Sequence, residues 1–250
     1  MKGHAPIAIV ALFAACAAAN GDLVSISAER DATIYEPAPD LAANGAGQYL
    51  FAGRTNQGLR RRALVRFDVA AFVPTGATIT SARLVMNISQ ANGGNRNVAV
   101  HRALAAWTTG LSDPDLTESL GAPPLAGDAT WLHARYDPAG ASVAWAAAGG
   151  DYAAAASAIL NTTTAGLQVW QSAALLDDVR SFALSGGTNL GWFLVADESV
   201  SGTARRFDSA DSAALGGIVP RLEIEYTPVP APGSLALLAI AGLVARRRRR

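Results

Sequence analysis

Within its 250 residues the sequence has a single cysteine, Cys16, a single lysine, Lys2, and three histidines. One cysteine cannot form an internal disulfide, so a small disulfide-framed scaffold is excluded. No phosphate-binding, dinucleotide-binding, zinc-finger or EF-hand pattern occurs. His101 and His133 are the only histidines beyond the first few residues, and no nucleophile or third group stands at a recognisable spacing from them. Long apolar runs are missing as well. The C-terminal run from Ser234 to Ala245 would span ~18 Å as a helix, against ~30 Å of bilayer hydrocarbon.

What is present at the two ends reads as address rather than fold. Lys2 and His4 precede an apolar stretch, Ile7 to Ala19, that ends in small residues. That layout is a secretory signal peptide, residues 1–19, with cleavage after Ala19. Phe13-Ala14-Ala15-Cys16 offers a rival reading as a lipidation box, with phenylalanine where leucine is usual. At the other end Val229-Pro230-Ala231-Pro232-Gly233 leads into the apolar run and then Arg246, Arg247, Arg248 and two further arginines. Under the positive-inside rule those arginines stay cytoplasmic while residues 228–250 hold the chain, at least transiently, in the membrane. This tail resembles the PEP-CTERM sorting segment, with Ala231 where a glutamate is usual. The resemblance implies processing by an exosortase-type enzyme near the Pro-x-Pro motif and delivery to the cell envelope or its exopolysaccharide.

Between the signals lies one expected domain, residues 20–227. Its cations are fourteen arginines against twenty acidic residues, a net charge of −6. An acidic body with one short basic cluster, Arg60-Arg61-Arg62, which reads as a solvated loop edge, excludes nucleic acid as the partner. Short β-type runs are frequent: Leu23–Ile26, Thr33–Tyr35, Ala63–Val69, Thr78–Ser89, Asn97–Leu104, Trp192–Ala196, Arg205–Ser209 and Arg221–Tyr226. In the third, Val65, Phe67 and Val69 alternate with Arg66 and Asp68; in the fourth, Ile79, Leu84, Met86 and Ile88 are candidate core residues. Glycine, asparagine and proline clusters punctuate the runs. The pattern predicts an all-β fold, an antiparallel β-sandwich. One helix is expected, Ser172 to Leu184, with Leu175, Leu176, Val179 and Phe182 on one face.

A set of short motifs in fixed order covers nearly all of this domain. It runs through Asp31-Ala32-Thr33-Ile34-Tyr35, Gly53-Arg54, Arg62-Ala63-Leu64-Val65-Arg66-Phe67-Asp68, Pro74 to Leu84, Val100-His101-Arg102 with Trp107, Gly191 to Leu194, and Pro220 to Tyr226. The ensemble resembles DNRLRE-type domains, secreted modules related to the disaggregatase carbohydrate-binding modules. That resemblance implies a jelly-roll-like sandwich and polysaccharide binding.

Five tryptophans, Trp107, Trp131, Trp145, Trp170 and Trp192, stand out in an alanine- and glycine-rich chain. Aromatic faces stack on sugar rings, and recognition usually sits on loops carried by a rigid scaffold. The segment Asp128–Tyr152 is loop-like and holds Trp131, Arg135, Tyr136, Trp145, Asp151 and Tyr152, the expected polysaccharide-contacting set. The same tryptophans also suit core or lid positions. Asp31 and Asp208 are candidate oxygen ligands for calcium, or caps of turns. Asp113-Pro114-Asp115 suits a turn, and Asp177-Asp178 a helix surface, so no acid pair for glycoside cleavage is assigned. Three functions remain in order of preference: a non-catalytic polysaccharide-binding envelope protein, a structural surface protein acting by self-association, and a polysaccharide-degrading enzyme.

Overall fold

A computed structural model describes residues 21–184 and 188–229. The signal peptide with Cys16 and Ala19, and the sorting motif from Pro230 through Ala231, Pro232 and the terminal arginines, lie outside the described residues. Val229 is the one sorting-motif position that is described, and it is exposed.

Among the described residues fourteen strands and two α-helices follow in chain order. They are β1 (Asp22–Ser27), β2 (Arg30–Tyr35), β3 (Ala42–Asn44), β4 (Tyr49–Arg54), β5 (Arg60–Arg66), α1 (Val69–Phe72), β6 (Thr78–Ala91), β7 (Arg96–Arg102), β8 (His133–Arg135), β9 (Val143–Ala144), β10 (Ala158–Thr162), β11 (Gly166–Trp170), α2 (Ala173–Ala183), β12 (Trp192–Ala196), β13 (Arg205–Asp208) and β14 (Arg221–Thr227). Twelve strands make one antiparallel sheet in the order β1-β14-β6-β13-β4-β5-β12-β7-β10, with β11 added to β6, β2 added to β5, and β3 added to β2. The sheet curls over so that its two halves share a core, giving an all-β, sandwich-like body. Leu84, Met86, Ile88, Leu222 and Ile224 from one half meet Val65, Trp192, Leu194, Val98 and Val100 from the other.

Strand β4 joins the halves. Tyr49–Ala52 pair with β13, whereas Gly53 and Arg54 pair with β5. The transfer happens at Gly53, whose φ is 115° and where a Cβ would sit 2.9 Å from Ala204 Cα and from the Thr203 carbonyl oxygen. Only glycine fits a strand bent this close to its neighbour.

Strand β6 explains why its buried positions do not alternate cleanly. Ile79 is buried, and so are Ala82, Leu84, Met86 and Ile88; the first is out of phase with the rest. The pairing with β14 slips between Ser81 and Ile79, leaving Thr80 as an extra residue. A second slip occurs on β13, where Phe207 faces Ile88 but Arg206 faces Gln90, leaving Ser89 extra. Each bulge inverts which face the following side chains occupy.

The β2-β5-β12 region is buried on both faces. Its outer face carries Ala32, Ile34, Leu64 and Phe193, and these pack under Trp107, Ala129, Trp131, Ala134 and Trp145 from the largely irregular segment 103–157. Strand β5 is therefore buried from Arg61 to Val65 without alternation. This corrects the reading of Arg60-Arg61-Arg62 as a loop edge: the three lie in β5, with Arg61 only 4 % and Arg62 only 7 % exposed.

Two further local expectations change. Val69 is buried as expected but opens α1 rather than closing a strand, because the Asp68 carboxylate accepts from the Ala71 amide and caps a helical turn. Helix α2 starts on Ser172, whose Oγ accepts from the Leu175 amide at 3.0 Å, and it buries Leu175, Val179 and Phe182 in the main core. Asp178 is not a surface residue: its Oδ2 accepts from Trp192 Nε1 at 2.8 Å and from Ser157 Oγ at 2.5 Å. Among the described residues no helix is long and apolar enough to cross a membrane.

Candidate functional site

Among the described residues, nine of the fourteen body arginines lie within ion-pair distance of a carboxylate. The other five are Arg54, Arg61, Arg135, Arg205 and Arg206. Four of them, all but Arg135, line a single cleft of about 460 Å³ where β4 and β13 run side by side. In a body carrying −6 overall, that is a local excess of uncompensated positive charge.

The cleft is built from β4, β5, β13, the end of β6 and the turn near Ser119 and Leu120. Arg206 projects from β13 with its guanidinium 4.1 Å above the Tyr49 ring on β4. Its Nε donates to Ser89 Oγ at 3.0 Å. Arg54, at the end of β4, donates from Nε to the Gly58 carbonyl at 2.6 Å. The Arg61 guanidinium lies 4.7 Å over the Tyr35 ring and bonds the carbonyls of Arg60 at 3.0 Å and Ser119 at 3.4 Å. Burial holds the Arg61 guanidinium below its usual arginine range. Gln57, Gln90, Asn56 and Asn92 add exposed amides, and Phe51 an apolar floor.

Arg205 differs from the others. It is fully buried, and its guanidinium bonds the carbonyls of Asn92, Gly94, Thr162 and Thr203 and the Thr162 hydroxyl, with no carboxylate in reach among the described residues. Burial, then the charge of Arg96, lowers its pKa. It is a clamp under one end of the cleft.

Beyond Phe51 and Gln90 the cleft continues over Gln48 and Tyr49 toward Glu118 and Asp115. Glu118 does not neutralise the arginines. Its oxygens accept from the amides of Gln48 at 3.0 Å and Tyr49 at 2.6 Å, and burial raises its pKa.

The segment singled out in the sequence is placed differently from the cleft. Trp131 and Trp145 are 3 % and 6 % exposed. The guanidinium groups of Arg60 and Arg62 lie over the Trp131 ring, at 5.0 and 4.8 Å, and Trp145 packs edge-on to Phe193 while its Nε1 donates to the Thr130 carbonyl. Tyr152 packs between His101 and Phe193, and Asp151 caps the amides of Ala146 and Ala147. Asp151 and Tyr152 line a shallow depression with Arg62, whose charge is matched by Glu198 at 2.8 Å. Arg135 is exposed and Tyr136 packs against His133; neither lines that depression. Asp31 and Asp208, the candidate calcium ligands, both accept backbone amides: Asp31 from Ala210 at 2.7 Å, Asp208 from Ile218 at 3.0 Å. No group of three or more potential metal-ligating side chains is gathered among the described residues.

Tyr49, Arg61, Ser89, Gln90 and Arg206 escaped the sequence reading as site residues. They come from four separate strands, and nothing local marks them; the one sign was that every cation of the body is arginine. No protein-family model matches the chain, and no curated protein matches it. Fold and site together define an all-β, sandwich-like protein with a cleft of unneutralised arginines.

Proposed function

We propose that this chain is an exported, non-catalytic protein of the cell envelope or extracellular matrix that binds an acidic polysaccharide in the β4–β13 cleft. The observation that carries the proposal is the clustering there of four of the five arginines that lack a carboxylate partner. Guanidinium forks suit carboxylate and sulfate groups in a way that point charges do not. The tyrosine-backed Arg206 and the amides of Gln57 and Gln90 supply the stacking and hydroxyl-directed contacts that sugar rings need. The cleft is favoured over the Trp131–Trp145 region because the latter's indoles are packed inside.

The export reading rests on the N-terminal signal, and the envelope address on the PEP-CTERM-like tail with an exosortase-type enzyme as its processing partner. A jelly-roll-like, DNRLRE-related module is the finer fold assignment that fits the sandwich-like body. A second reading, a structural protein that self-associates, is favoured by one observation: Ile159, Leu167 and Val169 leave apolar side chains exposed on β10 and β11.

Retention of the purified protein on immobilised polyuronate tests the binding proposal. Arg206→Ala is expected to weaken it roughly 10- to 100-fold, the loss typical of a charged hydrogen-bonding group. Unchanged retention, or no retention of the native protein on any glycan, would reject the cleft. Mass spectrometry of the protein from its producing cells tests the address; a mature chain still carrying Arg250 would exclude processing.

A further inference from the structure

Resting on the polysaccharide-binding reading above, we infer that Arg206 is the specificity-determining residue of the cleft and Ser89 its positioning residue. The guanidinium distinguishes acidic from neutral polymer as an oriented fork, not as a diffuse charge.

The register of β6 against β13 sets this up. Phe207 faces Ile88 and Arg206 faces Gln90, so Ser89 is the additional residue of a bulge. Without the bulge, alternation would send Gln90 toward the core beside Ile88. With it, Ala91 packs against the core and Gln90 stands exposed next to Arg206. The same residue that makes the bulge also fixes the arginine. Ser89 Oγ accepts the Arg206 Nε–H at 3.0 Å and turns its own hydrogen toward the Arg206 carbonyl at 3.4 Å. One hydroxyl serves both roles because it offers one hydrogen and two lone pairs.

The Tyr49 ring, 4.1 Å away, covers a face of the guanidinium. With Nε bound and a face stacked, little side-chain freedom is left to lose on binding. Nη1 and Nη2 have no hydrogen-bond or ion-pair partner among the described residues, and they are the pair that forms an end-on fork with a carboxylate or sulfate. Arg54 is fastened to its own turn through Gly58 and has no ring beneath it among the described residues. It adds field rather than geometry.

The test compares full-length protein binding to polygalacturonate, to its carboxyl-reduced form and to a sulfated galactan. Ser89→Ala is expected to weaken binding to at least one acidic polymer roughly three- to tenfold while leaving the carboxyl-reduced polymer unaffected. Ser89→Thr, which keeps the hydroxyl, is expected to restore it. Whichever acidic polymer loses more identifies carboxylate or sulfate as the group read. Arg206→Lys keeps the charge without the fork and is expected to lose the same discrimination; it decides the matter should Ser89→Ala fail to fold. An Arg206→Lys or a folded Ser89→Ala protein with native preference overturns the inference, and so does an equal loss on all three polymers. Native protein that binds the neutral polymer as well as the acidic ones overturns it while leaving polysaccharide binding in place. Native protein that binds none of the three removes both.

Discussion

The carboxylate of Asp31 on β2 accepts the backbone amide of Ala210 at 2.7 Å while only 3 % of the residue is exposed. Burial raises its pKa from 3.8 to about 7; the Ala210 bond opposes the rise and nearby Asp211 adds to it. The folded state therefore holds a proton that the unfolded chain has released. Between those two pKa values the native state binds more protons, so this group's contribution to stability falls as pH rises and is at its worst above pH 7. Asp31→Asn keeps the acceptor without the charge. It is expected to stabilise the protein by about 1–3 kcal/mol at pH 8, with the advantage vanishing near pH 4. Thermal melts at the two pH values check this, and an equal effect at both would refute it.

Arg205 is the opposite case, a buried cation satisfied by carbonyls. Arg205→Leu would leave the acceptors of Asn92, Gly94, Thr162 and Thr203 without their donor. It is expected to cost about 2–4 kcal/mol, read as a lower urea midpoint. A loss below half a kcal/mol would mean that water replaces the guanidinium freely.

The lid over the outer face has its own weak point. A Cβ on Gly150, whose φ is 100°, would overlap the Phe193 ring. Gly150→Ala is expected to destabilise by about 2–4 kcal/mol and to shift tryptophan emission to the red as Trp145 loosens from Phe193. Trp145→Ala is expected to cost about 3–5 kcal/mol. Measured well below its melting temperature, it should leave polyuronate affinity as in the native protein; a selective loss of affinity would instead return the tryptophan to the binding site.

Charge dominance in the cleft predicts a salt dependence. Affinity for polyuronate is expected to fall steadily between 50 and 500 mM NaCl as the Debye length shrinks from roughly 14 to 4 Å. Arg54→Ala should flatten that dependence while leaving binding to the carboxyl-reduced polymer unmoved. An affinity insensitive to salt would contradict an electrostatic cleft.

The strands that alternate or carry dense apolar residues, such as Thr78–Ser89 and Arg221–Tyr226, were legible from residue pattern alone, as was helix α2 from the spacing of its apolar face. Strand β4 was not. Its sequence Tyr-Leu-Phe-Ala-Gly-Arg mixes both faces because the strand changes partners at Gly53. Strands β10 and β11 were missed because they lie at sheet edges and expose Ile159, Leu167 and Val169. The Arg60-Arg61-Arg62 run looked solvated because three adjacent charges normally are. Arg61 and Arg62 are buried because a lid covers one side of β5, and partners meet two of the run's charges, Glu36 for the half-exposed Arg60 and Glu198 for Arg62. The cleft itself was invisible for a related reason: the sequence counts arginines, and only the fold reveals which have been answered by an acid.

Strands β1 and β14 lie against each other with Asp22 opposite Tyr226, so the backbone enters and leaves the body at neighbouring points. Tension between those points would peel the pair apart one rung at a time instead of shearing all its bonds at once. A body held through its C-terminal side would thus carry little of a pull exerted through its N-terminal side, whereas a load applied at the β4–β13 cleft would reach β14 by way of the sheet interior.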